Sequence, residues 1–187
     1  MSVPSIEFIC EKCSHTGSTG LLHGPMMYRH SDKEHDVNRC LGWCHDCDGF
    51  ASIEDFSDTD ELLKKLVKVT DELQYLYGKR IALFLASGAR FRRDSLLDCL
   101  SETSFRLDLV RKRKGEEKCL RCGCSDVVPF DGSFPRVEFY HHCPEPSATG
   151  FRHPGCGGEF IASISPIRFN LIFESQLFSI DGDRLDY

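Results

Sequence analysis

Hydrophobic and polar positions alternate with two different periods along this chain, and the change of period divides it. Between residues 57 and 78 the apolar residues Leu62, Leu66, Val69, Leu73 and Leu76 recur at spacings of four, three, four and three. That spacing lays them along one stripe of a helix and predicts an amphipathic segment facing a core. Ser57, Asp58 or Thr59 can cap its start, because each side chain accepts a hydrogen bond from an unpaired backbone N–H. Gly78 is the expected stop. A second apolar piece covers residues 81–86. A third segment follows Asp94, with Leu96, Leu97, Leu100, Phe105, Leu107 and Val110, and residues 101–104 are expected to interrupt it.

Past residue 124 the period falls to two. Val127 to Phe130, a turn at Asp131-Gly132-Ser133, and residues 136–142 predict a β-hairpin, since an Asp-Gly pair tolerates positive φ. Residues 160–173 alternate as one or two further strands, interrupted at Pro166. Near the N-terminus, Leu41-Gly42-Trp43 forms a short apolar stretch suited to a strand. The expected fold is α+β, with β modules at residues 1–56 and 116–187 and a helical segment at 57–115.

Composition changes this picture at one point. Hydrophobic content of 41% and charged content of 28% are ordinary, but 11 cysteines in 187 residues are not. No basic stretch followed by an apolar run opens the chain, and the count of cysteines is odd. Reduced, metal-binding thiols in a cytoplasmic or nuclear protein are therefore expected, in preference to disulfides.

Two cysteines separated by two residues can place both sulfurs on one ion, and a tetrahedral zinc then needs a second pair. Cys10-Glu11-Lys12-Cys13 and Cys44-His45-Asp46-Cys47 are two such pairs. They predict one site from Cys10, Cys13, Cys44 and Cys47. Cys119-Leu120-Arg121-Cys122 begins a second set, completed by Cys143 and Cys156 across an enlarged turn. Gly155, Gly157 and Gly158 would let the backbone wrap closely there. His153 with Cys156 is a compact alternative that leaves Cys143 outside, and Cys124 and Cys40 are near neighbours of ligands. Cys99 falls in the helical pattern as a small core residue. His15, His23, His30 and His35, between the first two pairs, read as polar loop residues.

These paired cysteine turns resemble zinc ribbons, small β folds in which two cysteine-bearing turns clamp one zinc, over roughly residues 6–55 and 115–173. The resemblance implies two structural Zn2+ ions and leaves function open. Two complete cysteine sets offer no open coordination position, and no G-x-S-x-G, Walker or H-E-x-x-H pattern occurs. His141 and His142 beside Cys143 read as surface or supporting histidines. No enzymatic activity is expected.

Charge bears on the partner. Residues 1–78 carry 7 Lys/Arg against 14 Asp/Glu, residues 79–121 carry 12 against 6, and residues 122–187 carry 4 against 9. Acidic ends point to a protein partner, as in an adaptor or an inhibitor of a basic protein. The alternative is nucleic-acid binding through the basic segment 90–121, using Arg90, Arg92, Arg93, Arg111, Lys112, Arg113 and Lys114. The longest apolar run is far too short to cross a bilayer.

Overall fold

A computed structural model describes residues 2–78, 87–133, 145–170 and 174–185, and the fold is α+β. The chain divides into two compact units. Met1–Glu54 and Glu117–Tyr187 together form one, and Asp55–Glu116 the other. The two ends, expected as separate modules, therefore belong to a single body, and the helical segment is inserted in it.

Among the described residues the first unit contains ten strands in three sheets. β1 (Ser2–Cys10) pairs antiparallel with β2 (Thr16–Ser18) on one side and β9 (Glu159–Asn170) on the other, and β8 (Ser147–Arg152) flanks β9. β3 (Met26–His30), β4 (Lys33–Asp36) and β10 (Gln176–Phe178) make a second sheet. β5 (Arg39–Cys44), β6 (Gly49–Glu54) and β7 (Val127–Pro129) make the third.

Period-two alternation assembles the core. On β1 it turns Ile6, Phe8 and Cys10 inward, opposite Phe160 and Ala162 of β9. On β8 it turns Thr149 and Phe151 inward, and the next residue in phase is His153. β5 and β6 use both faces. Leu41, Trp43 and Phe50 join the aromatic core, whereas Cys44 and Ala51 pack with Cys119 on the opposite side. Phe160 has no exposure and touches Phe50, Trp43 and Phe151 with ring centroids 4.8, 5.9 and 6.2 Å away.

Several local expectations are revised. The stretch between the first two cysteine pairs holds strands β2 to β5, and His35 is buried on β4. β9 runs through Pro166 without a break, because the β1–β9 register shifts between Pro4 and Ile6. A proline cannot donate to the ladder, and a bulge accommodates it. β7 exists, but its pairing partner is β5. Residues 136–142, the expected return strand, lie outside the described residues.

In the second unit, α1 (Thr59–Gly78) buries Leu62, Val69 and Leu73, three members of the apolar stripe. Asp60 and Glu61 occupy its first turn, where the helix dipole favours negative charge. α2 (Ser87–Arg113) begins before Asp94 and is continuous through residues 101–104. Buried Thr103 returns its hydroxyl to the Cys99 carbonyl at 2.7 Å, so a residue that competes for backbone bonds is absorbed within the helix. Ion pairs from Arg106 to Asp58 and Arg92 to Glu72 join the antiparallel helices near their two ends. The apolar piece at 81–86 lies outside the described residues. No described helix is long and apolar enough to cross a membrane.

Truncating Phe160 removes the ring at the centre of this aromatic cluster. Phe160→Ala should destabilise the first unit by about 3–5 kcal/mol. Urea unfolding followed through the fluorescence of Trp43 measures that loss.

Candidate metal centres

Four short turns in the first unit share one backbone geometry. In the turn that begins at Cys10, the Ser14 N–H donates to the Cys10 carbonyl at 2.9 Å, and the Cys10 N–H donates to the His15 carbonyl at 2.8 Å. At Cys119 the equivalent bonds run from Gly123 N–H to Cys119 O and from Cys119 N–H to Cys124 O, both 2.8 Å. At His153 they run from Gly157 N–H to His153 O and from His153 N–H to Gly158 O, at 2.8 and 2.7 Å. The turn between β5 and β6 pairs Cys44 with Gly49 over the same span. In all four the residue after the second ligand has positive φ: Ser14 at 58°, Asp48 at 45°, Gly123 at 79° and Gly157 at 71°. That reversal turns both side chains of an x-x pair toward a common point.

The turns meet in two sets. Cys10, Cys13, His153 and Cys156 form the first, and Cys44, Cys47, Cys119 and Cys122 the second, with all donor atoms of a set within 4.8 Å of one another. In the first set Cys10 Sγ lies 3.5 Å from Cys156 Sγ, and Cys13 Sγ lies 3.4 Å from it. His153 Nδ1 lies 3.2 Å from Cys13 Sγ and 3.0 Å from Cys156 Sγ. In the second, Cys44 and Cys122 sulfurs are 3.5 Å apart and Cys47 and Cys119 sulfurs 3.9 Å apart. A tetrahedral ion with bonds of about 2.3 Å spaces sulfur ligands about 3.8 Å apart. Both sets fit a closed, four-coordinate metal ion.

Seven of the eight cysteines expected as ligands are therefore in clusters, but the grouping is different. Cys10 and Cys13 are joined to the turn at 153–156, and Cys44 and Cys47 to the turn at 119–122. The reason is strand pairing: β1 runs against β9, whereas β5 runs against β7. His153 takes the place proposed for Cys143, which lies outside the described residues. Beyond its compact spacing from Cys156, two features mark it. Gly157 follows Cys156 as Gly123 follows Cys122, and His153 is in phase with Thr149 and Phe151. Gly158 is required by proximity, since a Cβ there would come within 2.8 Å of Cys10 Sγ and 2.6 Å of Lys12 Cβ.

The electrostatics suit a cation. Burial and the neighbouring thiols push Cys44 and Cys47 up, although the Cys47 backbone N–H partly offsets this at Cys44. Against the cost of burial, the Cys124 backbone and the neighbouring thiols pull Cys122 down. Cys10 is drawn down in the same way by the backbone at Cys13 and Lys12. Despite the His15 backbone, Cys13 is held up by burial and by Cys156 and Cys10. Within each set the neighbouring thiols oppose one another's ionisation. Two thiolates 4 Å apart repel by about 4 kcal/mol at an effective dielectric of about 20, and a divalent ion removes that opposition. His153 is lowered by burial and by His15, which favours the neutral imidazole a metal needs. Its Nδ1 faces the sulfurs. Its buried Nε2 has no hydrogen-bond partner among the described residues. The ring lies among Trp43, His15 and Phe160, at centroid distances of 4.6, 5.1 and 5.4 Å.

Cys124 lies beside the second set, its sulfur accepting from the Asp126 N–H at 3.2 Å. Cys40 and Cys99 belong to neither set. The basic segment lies on α2 and beyond. Arg92 pairs with Glu72, Arg93 with Asp94 and Lys112 with Asp108, at 3.0, 2.6 and 2.6 Å. Arg113 is buried over the Phe56 ring, and Lys114 reaches the Thr59 hydroxyl. Arg90 and Arg111 are exposed.

Compared with protein-family models, curated proteins and solved structures, the chain matches none of them.

Metal content separates the observed grouping from the sequential one. His153→Ala should lower bound metal from two equivalents to about one, whereas Cys143→Ser should leave two. Elemental analysis of the purified variants reads this directly.

Proposed function

We propose that this chain is a zinc-stabilised, non-catalytic binding protein whose partner is another protein. The observation that carries the reading is the closure of both donor sets. Four side chains surround each centre, and a catalytic zinc keeps three protein ligands with a fourth position for water or substrate. The donor types, four cysteines in one set and three cysteines with a neutral histidine in the other, are those of structural zinc. Each ion would join two ligand-bearing turns at the ends of short strands, an arrangement similar to a zinc ribbon. We place the protein in the cytoplasm, where thiolates stay reduced.

Charge favours a protein partner with a basic surface. The first unit carries 10 Lys/Arg against 18 Asp/Glu, which repels nucleic acid at long range. In the basic segment Arg92, Arg93 and Lys112 are already opposite carboxylates, and Arg113 is buried. Few of its cations remain to neutralise phosphates.

Two measurements test the reading. Chelation should remove two zinc equivalents and abolish the buried fluorescence of Trp43, since structural zinc contributes roughly 10–16 kcal/mol of apparent folding free energy. Titration with single- and double-stranded nucleic acid over a salt series should show no tight binding. A steep salt slope that weakens in Arg111→Ala and Lys112→Ala would assign the protein to nucleic acid instead.

A further inference from the structure

The first unit contains a concavity of about 270 Å³ that neither metal centre uses, although one wall belongs to the 119–122 turn. Its floor is apolar, made by Met26, Ala51 and Leu120, of which Met26 is 7% and Leu120 3% exposed. Its polar lining includes His23, Arg121, Gln176 and Arg184, and among the described residues no carboxylate lines it. That selection is against the local composition, because acidic residues outnumber basic ones 18 to 10 in this unit. Among the described residues Arg121 has no hydrogen-bond or ion-pair partner.

The walls are fixed by backbone bonds. Leu120 N–H donates to Ser52 O at 2.9 Å, Gln176 N–H to Pro25 O at 3.0 Å and Leu185 N–H to Leu177 O at 2.8 Å. The guanidinium of Arg39 donates to the carbonyls of Leu22 and Gly24, on either side of His23. The backbones of four chain segments are thus fixed around one space, which lowers the ordering cost of binding.

We propose that this pocket binds a small organic anion, a carboxylate or phosphate on a short apolar body. The apolar part covers Met26, Ala51 and Leu120, and the oxyanion pairs with Arg121, on the side of the pocket that Arg184 also lines. Guanidinium groups recognise both oxyanions through paired N–H donors. The volume is at the small end for ligand sites, which limits the apolar part to about one ring or a short branched chain. The assignment is independent of the proposed protein partner. The same chemistry arrives either as a free molecule or as an acidic residue of a peptide.

The test uses full-length, metal-loaded protein and backbone amide shifts. Phenyl phosphate and a short peptide ending in phenylalanyl-glutamate are the probes, and benzyl alcohol is the neutral control. Saturable shifts at His23, Arg121, Gln176 and Arg184 are expected at millimolar probe, with affinity about tenfold weaker in Arg121→Ala and in Arg184→Glu. Response to phenyl phosphate identifies a free ligand, and response to the peptide alone identifies an acidic peptide segment. Equal binding by the variants, equal binding of benzyl alcohol, or no saturable shift with either probe would overturn the proposal. Elemental analysis of each variant, with two metal equivalents expected, separates failure of the pocket from failure of the metal centres.

Discussion

Everything in the first unit depends on closing very long loops through a few side chains. Cys10 and Cys156 are 146 residues apart, and Cys44 and Cys122 are 78 apart. Loop-closure entropy rises only slowly with length, so the second of these closures costs little less than the first. Neither is achieved by local preference. The sheets supply part of the free energy through β1–β9 and β5–β7 pairing, and the donor sets supply the rest once an ion neutralises them. The two closures are nested, the all-cysteine set lying inside the span of the set that includes His153.

β5 links the two. Trp43 sends its ring into the aromatic core, 4.6 Å from the His153 ring, while the next residue, Cys44, turns to the opposite face and contributes to the other centre. One strand therefore serves both sets by strict alternation, and a slip of one residue would exchange an indole for a thiol in each. Glu54 closes the same hairpin from within. It is 1% exposed, accepts from the Tyr28 hydroxyl at 2.5 Å and from the Lys118 N–H at 2.9 Å, and its own N–H donates to the Lys118 carbonyl.

The sequence carried the parts of this arrangement more clearly than their partnership. Each x-x pair of ligands is legible because the turn is local, fixed within six residues. Which turn meets which is decided by register between distant strands, and four interchangeable turns give no local hint of it. His153 was open to reading as the compact partner of Cys156, two residues intervening, yet a fourth cysteine at position 143 was the more obvious donor. The leucine stripe of α1 showed itself for the same reason as the turns, since helix period is local. The continuity of α2 did not, because the bond from Thr103 to the Cys99 carbonyl leaves no trace in a hydrophobic pattern. The basic segment was visible as charge, but its ion pairs arise only when Glu72 approaches from another helix.

The chain leaves the first unit after Glu54 and re-enters it at Glu117, and those two positions are bridged by the reciprocal Glu54–Lys118 hydrogen bonds. Departure and return therefore share one point on the sheet. The 62 residues between form a unit of their own, so the connection they make at that point does not depend on their number. A short connector across that point would leave all eight donor residues in the chain.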